Sequence, residues 1–188
     1  MASDMDTANR ALYAALLVFL TLMVACTDSQ GGKDSSTSIP DSYQKYEENG
    51  VSFSYPETWS FSYDDTPSIY TDRGIGLDIS EFSTATLLIS EGRSLDLDYV
   101  TNRFLSGFQV PEGDFIDNFT RNSVSIGGIP AETATWEDQF LGKTQYELTV
   151  AKIQSKPHDV FVVFSLSDED IDQSQEHKER FLKSIRIQ

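Results

Sequence analysis

Asp168, Asp170, Asp172 and Glu179, in the stretch DEDIDQSQEHKE, stand at positions 1, 3, 5 and 12 of an EF-hand-type loop, the spacing at which carboxylates wrap one calcium ion. Gln173 occupies the place of the turn-forming glycine, and Gln175 the place of the apolar residue that should follow it. The segment before the loop reads as strand, so the acids read as the first turn of a helix, where negative charge suits the dipole. The four are kept as calcium candidates, beside an expectation of no resident metal or cofactor.

Other groups capable of chemistry are few. His158 follows Lys156-Pro157 at a hairpin turn and His177 lies in a polar helix, so both read as solvated side chains. Gly74-Ile75-Gly76 lacks the third glycine of a dinucleotide loop, and no Gly-x-Ser-x-Gly elbow or Gly-Lys-Ser/Thr phosphate loop occurs. With no defensible catalytic set, the chain is expected not to be an enzyme. The alternative is an envelope enzyme or metal-binding protein that uses carboxylates or calcium. Trp59 and Trp136, with Tyr55, Tyr63 and Tyr146, are candidates for a partner surface or ligand cleft, and otherwise for core packing.

The single cysteine, Cys26, ends an uncharged run, Ala11 to Ala25, and opens a Ser/Gly-rich stretch. Fifteen residues fall short of the ~20 that a spanning helix needs, so the run reads as the apolar core of an export signal. Met23-Val24-Ala25-Cys26 resembles the lipobox of bacterial lipoproteins, with Met23 in place of the usual leucine. The preceding segment sets Asp4 and Asp6 against Arg10, where that pattern has a positive excess. The resemblance implies cleavage after Ala25, a diacylglyceryl group and palmitate on Cys26, and anchoring on the extracytoplasmic side of a bacterial membrane, in the periplasm or at the cell surface. One thiol excludes an internal disulfide or a cysteine zinc site. Residues 26–41 read as a flexible tether.

The chain carries 30 acids against 14 bases, a net charge of −16, which falls to −15 when residues 1–25 and their two acids and one base are removed. Such a surface repels phosphate backbones and anionic headgroups, which excludes nucleic acid and polybasic membrane docking. Lipid must then supply the membrane affinity, and two or three acyl chains suffice where one is marginal.

From residue 42 the pattern is that of a folded domain, expected to be monomeric. Val51 to Tyr55 alternate apolar and small polar residues, Phe61 and Tyr63 repeat the alternation after Trp59, and Pro56 to Thr58 bridge the two strands. Ser94 is the expected N-cap of a helix whose stripe is Leu97, Val100, Phe104, Leu105 and Phe108. Tyr146, Leu148 and Val150 share a strand face, and Val160 to Leu166 is apolar enough for a central strand covered on both sides. Ser167 with Asp170 reads as the capping box of a last helix.

Asn49-Gly50-Val51-Ser52-Phe53-Ser54-Tyr55-Pro56 followed by Trp59 resembles the opening of PsbP-like domains. Phe181-Leu182-Lys183-Ser184-Ile185 resembles their closing segment, with Ile185 where phenylalanine is usual. That superfamily includes a photosystem II extrinsic subunit, a Ran-binding nuclear-import regulator and bacterial lipoproteins of unassigned role. The likeness runs over residues 43–188. It implies an α/β/α sandwich, a largely antiparallel central sheet with flanking helices, and an accessory role. The expected function is therefore a membrane-tethered, non-catalytic lipoprotein that docks to a membrane protein complex or envelope component.

Overall fold

A computed structural model describes residues 42–65, 71–92, 94–110, 113–139, 143–155 and 157–188. Cys26, the signal-like run and the tether lie outside the described residues. Among the described residues, ten strands, β1 (Tyr43–Glu48), β2 (Val51–Pro56), β3 (Ser60–Asp65), β4 (Arg73–Asp78), β5 (Thr84–Glu91), β6 (Ile116–Ile126), β7 (Ile129–Asp138), β8 (Thr144–Ser155), β9 (His158–Ser167) and β10 (Arg186–Ile187), are joined by three helices. These are α1 (Leu97–Gly107), α2 (Glu169–Gln173) and α3 (Gln175–Ser184). Among the described residues no helix is long and apolar enough to cross a membrane.

The strands form a three-stranded sheet, β1-β2-β10, and a seven-stranded sheet, β3-β4-β5-β9-β8-β7-β6. Each neighbouring pair is antiparallel. Strand β9 is the middle of the seven, and its side chains alternate between two cores. Val160, Val162, Phe164 and Leu166 enter one core, and Phe161 and Val163 the other. The expected central strand covered on both faces is therefore present.

The layers around the large sheet differ from a simple helix–sheet–helix sandwich. One face carries α1, which places Val100 and Leu105 against Ala134, Trp136, Leu148 and Val150. The opposite face is closed by α3 together with the small sheet, through Phe181, Leu182, Phe53 and Tyr55. The fold is thus dominated by sheet, because three short strands take much of the area that a second helical layer would occupy.

Local chemistry explains most of the connections and corrects two caps. Asn49 and Gly50 both take positive φ, 47° and 77°, in the two-residue turn between β1 and β2. The Trp59 N–H donates to the Pro56 carbonyl at 3.0 Å, which closes the turn into β3. Helix α1 is capped not by Ser94 but by Asp96, whose carboxylate accepts the Tyr99 N–H at 2.6 Å. Ser167 and Asp170 form no capping box. The Ser167 N–H donates to the Ser83 hydroxyl at 3.0 Å, and Asp170 accepts from Ser80 and Ser83, each at 2.6 Å. These bonds tie the start of α2 to the β4–β5 loop, and Asp168 takes the cap position with φ 39°.

Candidate binding groove

A bulge in β3 shapes one wall of a concavity beside α1. The register of β3 on β4 slips between Phe61, opposite Leu77, and Tyr63, opposite Gly76. An extra residue in one strand turns the following side chain to the other face. Phe61 stacks on Tyr46 with ring centroids 5.8 Å apart, on the side of the small sheet, whereas Tyr63 lies on the side of α1. Its ring covers the bare backbone of Gly74 and Gly76. A Cβ on Gly76 would lie inside contact distance of that ring, so the Gly-Ile-Gly run is where Tyr63 lies flat on the sheet.

Between this ring and α1 runs an apolar groove of about 610 Å³. Leu88, Val100, Phe104 and Phe161 line it, and Tyr63, Tyr99 and Phe108 stand at its rim, each 44% exposed. Helix α1 holds its position through a different ridge. Arg121 of β6 donates to Asp98 and Asn102 of α1, each at 2.7 Å, and pairs with Glu132 of β7. Tyr99 and Arg103, one helical turn apart, are among the residues that line the groove.

A second, polar cleft of about 510 Å³ lies at the β1–β2 turn. Its centre is Arg73, which donates to Asp64 through Nε at 2.8 Å and Nη2 at 2.6 Å, and to the carbonyl of Asn49 at 2.9 Å. The Tyr46 hydroxyl donates to Asp64 and accepts from Arg73 at 2.9 Å. The hydrogen bonds from Arg73 hold the Asp64 carboxyl below the usual carboxylate range. Burial, then the bond to Asp64, pushes the Tyr46 phenol up to about 12. The same partners raise Arg73. This cluster fastens the small sheet to the edge of the large one.

No protein-family model matches the chain, and no curated protein matches it in sequence. Among solved structures, the chain is similar to the cyanobacterial PsbP, CyanoP, of Synechocystis sp. PCC 6803. That likeness has TM-score 0.50 and 15% identity, and it covers 84% of this chain and 98% of that one. The chain has a PsbP-like fold. Weaker likenesses are to the Ran-binding protein Mog1p of Saccharomyces cerevisiae (TM-score 0.45, 10% identity, covering 78% of this chain and 95% of that one). Another is to LpqN of Mycobacterium tuberculosis, described as involved in cell envelope biogenesis (TM-score 0.41, 12% identity, covering 78% and 90%).

The two segments that carried the PsbP-like resemblance meet in the interior. Phe53 and Trp59 lie 5.2 and 5.8 Å from Phe181, ring centroid to centroid. Both tryptophans proposed as partner residues are 3% exposed, so neither is a surface anchor. Trp59 packs edge-on against Phe164, and Trp136 stacks on Tyr146 at 5.7 Å, each inside its own core. Of the five candidate aromatics only Tyr63 lines the groove; Tyr99, Phe104 and Phe108 are the ones missed. Phe104 and Phe108 belong to the apolar stripe of the helix, and nothing in the spacing separates the end of that stripe from a rim.

The four calcium candidates diverge. Asp168 accepts the Gln145 N–H at 2.9 Å, Asp170 is bound by two serines, Asp172 is exposed, and Glu179 pairs with Lys183. Among the described residues no three His, Cys, Asp or Glu side chains converge to hold an ion. The histidines are not solvated as expected. His158 is part-buried on the polar cleft, with Nδ1 3.8 Å from Glu91 Oε1. His177 is buried, sharing a 2.7 Å hydrogen bond with the Tyr43 hydroxyl and facing the edge of Trp59. Beside it, Lys178 is 1% exposed and ion-paired with Glu147.

Proposed function

We propose that the protein is a non-catalytic accessory lipoprotein, held by lipid on Cys26 at the extracytoplasmic side of a bacterial membrane, whose PsbP-like domain binds an envelope component. The observation that carries the binding role is the groove beside α1. It is concave, apolar, of a size that ligand sites take, ~300–1,000 Å³, and rimmed by aromatic rings that remain in water. Exposed aromatic rims of this kind mark interaction sites, since an isolated domain gains nothing by leaving them wet. The lipobox-like sequence and the polar tether support the anchoring, and the acidic surface supports a membrane attachment made by lipid rather than by charge.

Fractionation tests the anchor. The wild-type chain should sediment with membranes, and Cys26→Ser should be released or left unprocessed. A variant that fractionates and migrates like wild type would remove the lipoprotein reading and leave the groove to be judged separately.

A further inference from the structure

Phe82, in the β4–β5 loop, is 68% exposed, more than any other large apolar side chain among the described residues. The loop is built to hold it there. The Ile79 and Ser80 N–H groups both donate to the Ser83 carbonyl, at 2.8 and 3.2 Å, so residues 79–83 close into a tight turn. The hydroxyls of Ser80 and Ser83 donate to Asp170, and the fully buried Ser83 also accepts the Ser167 N–H. Serines are thus bonded inward while the one aromatic ring of the turn stands in water. A ring fixed in this way needs no loop ordering when a partner covers it, and aromatic anchors in pockets carry most of an interface's affinity.

Two features of the surroundings select the partner. Residues 79–83 and 168–174, which the serine bonds join, hold five acids, Glu81, Asp168, Glu169, Asp170 and Asp172, and no base. Glu81, Glu169 and Asp172 are exposed. Anionic headgroups would repel this ring of acids, whereas Lys and Arg around an apolar pocket complement it. The second feature is position. The Ser42 carbonyl accepts the Glu57 N–H at 3.1 Å, and Ser60 pairs with Asp78, so the domain begins at the end of the molecule where β4 leaves for the Phe82 loop. Residues 26–41 span at most ~55 Å when fully extended. With lipid on Cys26, that end of the domain stays near the membrane.

We propose that Phe82 anchors a second docking surface, separate from the groove, and seats in an apolar pocket rimmed by Lys and Arg on the extracytoplasmic face of an integral membrane protein. The nearness to the membrane rests on the lipid anchor. The anchor ring rests on the loop alone.

The test places a photoreactive phenylalanine at position 82 of the full chain in the protein's own cells and identifies the adduct by mass. An integral membrane protein should be captured at a site beside Lys or Arg, and excess wild-type chain should compete where Phe82→Ser does not. Glu81→Lys combined with Asp172→Lys should lower the yield at least tenfold at an unchanged melting temperature, and Glu81→Asp combined with Asp172→Glu should keep it. High salt during cross-linking of isolated membranes should lower it too. A phospholipid adduct would put the ring in the bilayer and overturn the proposal. No adduct, a soluble protein, or a yield that charge reversal leaves undiminished would do the same. Position 108 is read in separate chains, so failure at 82 alone leaves the groove reading standing. Loss at both positions from a chain that no longer sediments with membranes overturns the anchor, and this proposal with it.

Discussion

The Ser184 hydroxyl accepts the Ser54 N–H at 2.9 Å, joining residues 130 positions apart, and donates to the Phe181 carbonyl at 2.7 Å. One hydroxyl thus ends helix α3 and fixes it to β2, next to the point where Phe181 meets Phe53 and Trp59. The opening and closing segments of the domain are consequently one structural unit, although each reads alone as an ordinary strand or helix end.

Trp59→Ala should expose the weakness of that unit. Removing a buried indole costs ~3–5 kcal/mol. The melting temperature of the protein should fall by about 10 °C, on the scale of ~2–8 °C per kcal/mol for domains of this size. Thermal unfolding followed by near-ultraviolet circular dichroism reads the effect, and an unchanged midpoint would show that the cavity is relieved at no cost.

Lys178 and Glu147 should be stable as a pair and costly apart. Lys178→Met takes the cation away from a buried carboxylate that also accepts from the Thr149 hydroxyl at 3.0 Å, and should destabilise by ~3–5 kcal/mol. Adding Glu147→Leu should recover most of the loss, because both charges then leave the interior together. Urea unfolding of the two single variants and the double variant gives the cycle, and simple additivity would contradict the coupling.

Stability should also change with pH through the cluster at Arg73. Asp64 has a folded pKa below its unfolded value of ~3.9, so its contribution is complete above that value and is lost as pH falls through the folded pKa. Tyr46 is raised to about 12 from an unfolded value of ~10, so its contribution is complete below pH ~10 and is lost as pH rises from there through the folded pKa. Asp64→Asn should flatten the acid limb and Tyr46→Phe the alkaline limb of stability against pH. Limbs that keep their slopes in both variants would place the titrating groups elsewhere.

Where one pattern dominates a segment, the sequence was a sound guide. The apolar run of β9 and the stripe of α1 read directly as a strand covered on both faces and a helix. What was illegible depends on partners far along the chain. One wall of the groove is shaped where β3 slips by one residue before Tyr63, and a bulge leaves no mark on an alternating pattern. His177 and Lys178 look like the wet face of a polar helix, and are buried because Tyr43 and Glu147 arrive from distant strands. Ser94 and Ser167 are sound cap types, but neighbouring aspartates hold the cap positions.

The central claim, a tethered domain that binds through its groove, is tested most directly by photo-crosslinking in the protein's own cells. A photoreactive phenylalanine replaces Phe108 at the rim or Val124 on β6, both exposed positions, in chains with Cys26 intact or changed to serine. The account predicts one dominant adduct from position 108, none from position 124, and loss of the adduct when Cys26 is replaced. Equal adducts from both positions, or an adduct at 108 that survives Cys26→Ser undiminished, would contradict it.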